Sequence, residues 1–257
     1  MENNKVLQPF EKLLQLVTPV LIILLTAHTP NDNDMWWHLR SGNVTLQERI
    51  ILTKDIFSFT RIGHPWVNAF WLGEIFFSVI NKFSGFFGLA LSASLIILCS
   101  LYFVKKQLNI PVTFIFIPLI ITAFGLSPFS AVRPQLFSFL FLAILDYFLY
   151  KYKNTETFQP GFIIVLFVIW ANFHGGFVWG VLLLLAFSAG EILGRLLNFT
   201  DALSWEKIWR ILFISVLAIL GTIVILFLLA RYGLPAVINL SLFLSNSRST
   251  NTAQKTN

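Results

Sequence analysis

Apolar stretches of membrane-spanning length recur along the whole chain, and no other feature limits its fold so tightly. A spanning helix needs about 20 mostly apolar residues. Seven candidate spans are read: about Leu7 to Ala27, Phe86 to Val104, Pro111 to Leu126, Gln135 to Tyr150, Gly161 to Ala171, Phe177 to Leu193 and Ile208 to Ala230. The third is short and carries Pro118, which predicts a kink. The fifth is too short to cross alone unless it starts near Phe158 and its polar end dips into a cavity. One long broken helix across Gly175-Gly176 is the other reading of spans five and six. Of the 257 residues, 56% are hydrophobic and 12% charged, against about 25% charged in a soluble domain. The expected class is all-α, a polytopic transmembrane helix bundle. Residues 1–244 form the membrane domain. Residues 245–257 are a polar, low-complexity tail expected to be disordered.

Composition removes several function classes. The net charge of +6 is loop charge, because no basic run exceeds two residues, so nucleic acid is not an expected partner. The single Cys99 lies inside an apolar run, which leaves no disulfide or cysteine-based metal site within the chain. No small-residue cleavage pattern follows the first run, so that run is expected to stay as a span. There is no Walker-type phosphate loop, no HExxH and no GxSxG. Glycosyl transfer from a cytosolic nucleotide sugar would need a soluble domain, and none is evident.

Between the first two spans lies one large polar loop, residues 28–70, with Gly63-His64-Pro65 as a turn signal. Residues 66–83 follow as an aromatic, apolar segment interleaved with Asn68, Glu74, Ser78, Asn81 and Lys82, which reads as a helix lying at the interface. Lys and Arg set the orientation. Lys105, Lys106, Lys151, Lys153, Arg195, Lys207 and Arg210 mark one side, and only Arg133 marks the short loops of the other. The N-terminus is therefore expected in the cytoplasm, with loop 28–70 outside.

That orientation gathers the unusual polar residues on one face. Asp32, Asp34, His38, Arg40, His64 and Glu74 fall on the outer side, with Arg133-Pro134-Gln135 and Asn172-Phe173-His174-Gly175-Gly176. The run N-D-N-D-M-W-W-H-L-R (31–40) is the densest of these. Ionisable residues at membrane depth point to a functional site. The two tryptophans suit the aromatic belt.

These stretches resemble a known group. D-N-D-M-W-W-H-L-R-S-G (32–42), D-I-F-S-F-T (55–60), G-H-P-W-V-N (63–68), W-L-G-E (71–74), R-P-Q-L-F-S (133–138) and W-A-N-F-H-G-G-F (170–177) are similar to bacterial polytopic GT-C superfamily glycosyltransferases of the RgtA/B/C/D-like group, over roughly residues 10–200. The resemblance implies a GT-C-like bundle in the bacterial inner membrane. It implies a transferase of the cell envelope that takes a polyprenyl-phosphate-linked sugar as donor, with membrane lipid around it. It gives Asp34, with Asp32 as partner, the place of the acidic residue in the first outward loop. Ala69-Phe70 stand where related sequences have His-Glu. The chain is also shorter than such proteins usually are, which reads as a truncated member.

Each candidate has two readings. Asp34 and Asp32 are a general base for an acceptor hydroxyl and an oxygen ligand of a divalent cation, Mg or Mn. Alternatively, Asp32 and Asn31 cap a short helix beginning near Met35. Glu74 is a further catalytic or metal-binding carboxylate, or the structural partner of Arg40 or Arg133. Arg133 holds a lipid phosphate, or snorkels to the interface. His174, Asn172, His38, Arg40 and His64 are substrate contacts, or turn and interface residues that pair with nearby acids. The expected function is transfer of a sugar at the outer face. The rival is a non-catalytic membrane protein: a truncated relative, a lipid-binding accessory subunit or a transporter.

Overall fold

The structure, a computed structural model, describes residues 3–30, 32–108, 110–155 and 158–232. The expected tail, 245–257, lies outside them, as does Asn31. The chain runs through α1 (Asn3–Thr26), α2 (Asn33–Glu48), α3 (Trp71–Leu108), α4 (Val112–Leu126), α5 (Leu136–Asn154), α6 (Phe162–Phe173), α7 (Phe177–Leu196) and α8 (Trp205–Tyr232), with a single 3-10 turn at Ser127–Phe129. Among the described residues there is no β-strand, only an isolated antiparallel bridge between Lys54 and Pro65.

Five helices are long and apolar enough to cross a membrane: Gln8–Thr26, Trp71–Leu108, Val112–Phe129, Phe177–Leu196 and Trp205–Phe227. The chain is an integral membrane protein. Five of the seven expected spans meet that length and apolarity, and the segments of α5 and α6 do not. Helix α6 has only 12 residues, about 18 Å at 1.5 Å per residue, against a hydrocarbon core of about 30 Å. Helix α5 carries Asp146, Lys151 and Lys153 within its 19 residues. Both helices form where the sequence places them, and they supply much of the core instead. Leu136, Phe137, Phe141, Leu145 and Leu149 of α5 pack with Ile163, Phe167 and Trp170 of α6 in one buried cluster.

The outer faces of the long helices are apolar in a way water would not tolerate. Leu13, Leu16 and Leu24 of α1, Phe114, Ile117 and Phe124 of α4, and Phe213, Val216 and Phe227 of α8 are all exposed. Helices that are hydrophobic all round belong in lipid or a large core. Six of their hydroxyls are satisfied internally, whereas that of Ser188 in α7 is buried with no partner among the described residues. Thr18, Thr26, Ser100, Thr122, Ser215 and Thr222 each donate to the carbonyl four residues earlier, which removes the cost of an unpaired polar group where there is no water.

Two local features differ from expectation. The segment expected as a helix over 66–83 is helical only from Trp71, and it ends at the break at Gly85. Residues 66–70 precede the helix, and Trp71 onward is the first part of α3. At 38 residues α3 would extend about 57 Å if straight. It breaks at Gly85 (φ 57°, ψ −150°), a conformation that glycine adopts without a steric penalty. The part before the break packs under α2, and the part after it is the expected second span.

Loop 28–70 also contains more structure than a short helix. Helix α2 has 16 residues. Met35, His38, Leu39, Gly42 and Thr45 are its buried residues at helical spacing, and they rest on α3. Asp32 caps its N-terminus, its Oδ1 accepting the Asp34 amide N–H at 2.8 Å. The helix stops at Arg49 in a left-handed conformation (φ 55°). Helices α6 and α7 are separate, with His174 extended between them, so the broken-helix alternative falls.

Close approach of α2 to α3 depends on Gly42, where a Cβ would run into the Glu74 carbonyl and the Ser78 hydroxyl. Gly42→Ala is expected to cost about 1–3 kcal/mol, the ordinary cost of overpacking, read as a lower thermal midpoint in detergent. Gly125→Ala, which meets nothing within 4 Å, is expected to cost nothing. Equal midpoints for wild type and Gly42→Ala would contradict this packing.

Candidate functional site

The polar residues separated in sequence meet at one end of the bundle. This end is formed by the C-termini of α1 and α6, helix α2, and the N-termini of α3, α5 and α7. Tight packing holds these pieces together. Gly73 sits where a Cβ would press on Pro134 and the Phe173 carbonyl. Trp71 Nε1 donates to Asn172 Oδ1 at 2.8 Å, and Asn172 Nδ2 donates to the Val168 carbonyl at 2.7 Å. Asn172 is buried, and these two bonds make it a tie between α3 and α6.

At the surface of this end, Arg133 is gripped by two carboxylates. Its Nε donates to Asp32 Oδ1 at 2.7 Å, and its Nη2 donates to Asp32 Oδ2. Its Nη1 lies 2.9 Å from Asp34 Oδ2. The bidentate pair is the geometry in which a guanidinium and a carboxylate bind best. Burial alone would raise the Asp32 carboxyl, but hydrogen bonds from Arg133 and from the Asp34 amide outweigh it and hold Asp32 below the usual carboxylate range. The hydrogen bond to Asp32 pushes Arg133 further up, against the effect of burial.

The two aspartates are not equivalent. The Asp32 side chain is 17% exposed and the Asp34 side chain 49%. Asp32 has both oxygens engaged and caps α2 as well. Asp34 holds Arg133 through Oδ2 only, and its Oδ1 accepts just a long hydrogen bond from Trp37 Nε1, at 3.4 Å. Asp34 therefore has an oxygen available to a ligand, and Asp32 does not.

The expected divalent cation fits this pair poorly. Both Asp32 oxygens already carry guanidinium N–H groups, whose charge would repel a cation placed between the two acids. Among the described residues there is no group of three or more His, Cys, Asp or Glu side chains that could hold a metal.

Beneath the surface lies a second, fully buried polar group. Glu74 is 0% exposed. It accepts from His38 Nδ1 at 2.9 Å, Ser41 Oγ at 2.5 Å and Asn68 Nδ2 at 2.7 Å. Asn68 also reaches Ser41 Oγ at 3.2 Å, and its own oxygen receives the Phe70 amide. A buried carboxylate persists only when it is paired and hydrogen-bonded. Glu74 meets that condition with α2 on one side and residue 68 on the other. The expected partners Arg40 and Arg133 are corrected to His38. Arg40 is exposed and has no hydrogen bond or ion pair among the described residues. With no exposed surface, Glu74 holds α2 in place through these bonds.

His174 occupies the inner corner. Its Nδ1 receives the Gly176 N–H at 3.0 Å and lies 2.7 Å from Ser138 Oγ, which in turn accepts from Trp170 Nε1 at 2.9 Å. A backbone N–H aimed at Nδ1 assigns the proton to Nε2. Burial, then the nearby His38, push His174 down to about 4, so it is neutral at physiological pH. The Phe70 ring packs near both His38 and His174, with centroids 5.5 Å from each. His64 lies apart, in the 53–66 loop, where it lines a cavity with Trp37, Phe57 and Trp66.

Ser41, Asn68, Ser138 and Trp37 were not singled out as site residues, although each lies inside or beside a stretch that was. Their hydroxyl, amide and indole groups have no charge to attract notice, and their roles appear only when helices pack. No protein family, no curated protein and no solved structure matches the chain.

The His174 geometry predicts a pH effect with a definite sign. Between about pH 6.5 and about 4 the unfolded chain takes up a proton that the folded chain refuses. Stability is thus full above 6.5 and falls as pH drops towards 4. Thermal midpoints from pH 7.5 to 4 are expected to fall less steeply in His174→Gln than in wild type. Identical slopes would rule out the buried neutral imidazole.

Glu74→Gln is expected to lower stability by about 1–3 kcal/mol, because its amide N–H group meets donors where the carboxylate met them as an acceptor. An unchanged midpoint would refute this.

Proposed function

We propose that the chain is a membrane glycosyltransferase that moves a sugar from a polyprenyl-phosphate donor to an acceptor hydroxyl, at the bundle end where its polar groups gather. This end is taken to face the outside of a bacterial inner membrane. The observation that carries the reading is the unequal grip on Arg133: one aspartate locked, the other half-exposed with a nearly free oxygen.

The chemistry follows from that inequality. The donor phosphate competes with Asp34 for the outer edge of the Arg133 guanidinium, whose two Nη groups each keep one N–H beyond those already used. Displaced from Nη1, Asp34 accepts the proton of the acceptor hydroxyl. The acceptor oxygen then bonds to the anomeric carbon as the bond from that carbon to the phosphate oxygen breaks. The electron pair leaves with the polyprenyl phosphate, and Arg133 stabilises the charge that develops there. Inversion at the anomeric carbon results. No metal takes part in this scheme.

The non-catalytic reading has an observation of its own. Asp32 caps α2 and holds Arg133, so the clamp also ties the loop to α5, and a membrane protein without catalysis would need that equally. The two aspartates separate the readings. With radiolabelled polyprenyl-phosphate sugars in nanodiscs, Asp34→Asn is expected to lose transfer by at least 10²-fold with little change in thermal midpoint. Asp32→Asn is expected to lower the midpoint by losing part of a cap and an ion pair, about 1–3 kcal/mol together. Full activity in Asp34→Asn would exclude it as the base. Absence of transfer in wild type would favour the non-catalytic protein.

A further inference from the structure

The loop between α2 and α3 forms, with Trp37 of α2, an open pocket that the transfer scheme leaves unused. Its volume is about 590 Å³, within the range of about 300–1,000 Å³ typical of small-molecule sites. The backbone around it is fixed by hydrogen bonds. Trp66 N donates to the Thr53 carbonyl at 2.8 Å, Asp55 N to the His64 carbonyl at 2.9 Å, and Gly63 N to the Asp55 carbonyl at 2.7 Å. Gly63 takes a positive φ of 81° to close the turn. Asp55 Oδ1 accepts the amides of Phe57 and Ser58 at 2.8 and 3.0 Å. Hydrogen bonds from Ser58 and the Phe57 amide hold Asp55 below the usual carboxylate range. Asp55 therefore builds the wall.

Three aromatic rings line this cavity. Trp37 and Trp66 stand edge to face at 5.9 Å, Phe57 and Trp66 at 6.3 Å, and Trp37 and Phe57 are tilted at 6.3 Å. Beside them are Arg61 and His64. Both are exposed, and the Arg61 side chain has no hydrogen bond or ion pair among the described residues.

We propose that this cavity is a subsite for a saccharide that carries an acidic group. The face of a sugar ring presents a patch of C–H groups with slight positive charge, which suits the negative face of an aromatic ring. The rings of Trp66 and Trp37 border the pocket, although the His38 ring, at 3.6 Å, covers one face of Trp37. The free guanidinium of Arg61 suits a carboxylate on the same ligand. The position also fits. Trp37 lines the cavity with its ring and touches Asp34 Oδ1 with its Nε1, so a sugar resting on Trp37 brings its hydroxyls to the carboxylate proposed as base. The acidic saccharide is then the acceptor, an assignment that rests on the transfer reading, whereas its binding does not.

Binding is tested on the full chain in detergent, by calorimetry and saturation-transfer NMR, with cellobiose and its uronic-acid counterpart as probes. The acidic disaccharide is expected to bind about tenfold more tightly than the neutral one, the order of a charge-assisted contact. Arg61→Gln is expected to abolish that difference. Trp66→Ala is expected to remove binding of both, and Trp66→Phe to retain it, which separates loss of the ring from loss of the fold. No binding by wild type, equal affinity for the two sugars, or wild-type binding in Trp66→Ala would each overturn the proposal. Binding by a wild type that transfers nothing would keep the subsite and reject the transferase. Transfer unaccompanied by sugar binding in the cavity would do the reverse.

Discussion

A carboxylate with no exposed surface decides how this end of the bundle is built. Glu74 lies on the first turn of α3, where the chain enters an apolar environment, and an unpaired charge there would be prohibitively costly. Its three donors come from α2 and from the segment just before α3. Satisfying one acid therefore docks a whole helix. Gly42 lets the backbones close, and the Ser78 hydroxyl donates to the Leu39 carbonyl across the same seam at 2.9 Å. Once α2 is seated, Asp32 and Asp34 at its N-terminus have no choice of neighbour. They face Arg133 at the head of α5.

The site is thus two polar groups of different kinds, stacked in depth. The deep one, around Glu74, is closed and fully hydrogen-bonded, and buried networks of that sort rigidify what they hold. The shallow one, around Arg133, has a half-exposed member. Trp37 and His38 are adjacent residues in one helical turn and connect the two: His38 reaches Glu74, while Trp37 reaches Asp34. A rigid lower tier beneath an adaptable upper tier suits a site that must position a ligand and still admit it.

Helix spacing and apolarity made the bundle legible. The segments read as spans are helices in the structure, and the polar stretches of three separate regions do meet at one end. The convergence was readable because Lys and Arg mark the opposite end so consistently. Partner choice was not readable. His38, Glu74, Asp32 and Arg133 were all singled out, but Glu74 pairs with His38, and Arg133 pairs with the aspartates. Sequence shows which face of a helix a residue occupies, whereas pairing depends on how deeply one helix sinks into another. Two of the segments read as spans fall short of spanning length or apolarity for a related reason. The α5 and α6 segments are apolar because they form the protein's own core, and a core helix and a short span look alike in hydropathy. The break at Gly85 was legible, because it falls between the helix read over 66–83 and the span read from Phe86.

Charge at the Arg133 clamp constrains any chemistry proposed there. Two carboxylates on one guanidinium leave one negative charge in excess, and His174, neutral with burial as the main cause, does not offset it. A phosphate brought to this place would add to that excess unless a carboxylate gave way. Asp32 is poorly suited to move, because it would forfeit a bidentate pair and the α2 cap together. Asp34 would give up a single ion-pair contact and a long hydrogen bond. Under the proposed transfer, donor arrival and base release are then the same event: the phosphate replaces Asp34 on Arg133, and the carboxylate it displaces is the one beside the aromatic cavity. Such an exchange would keep the base paired, and so less reactive, until a donor is present. Under that proposal the second acid of the clamp has a task beyond holding the arginine.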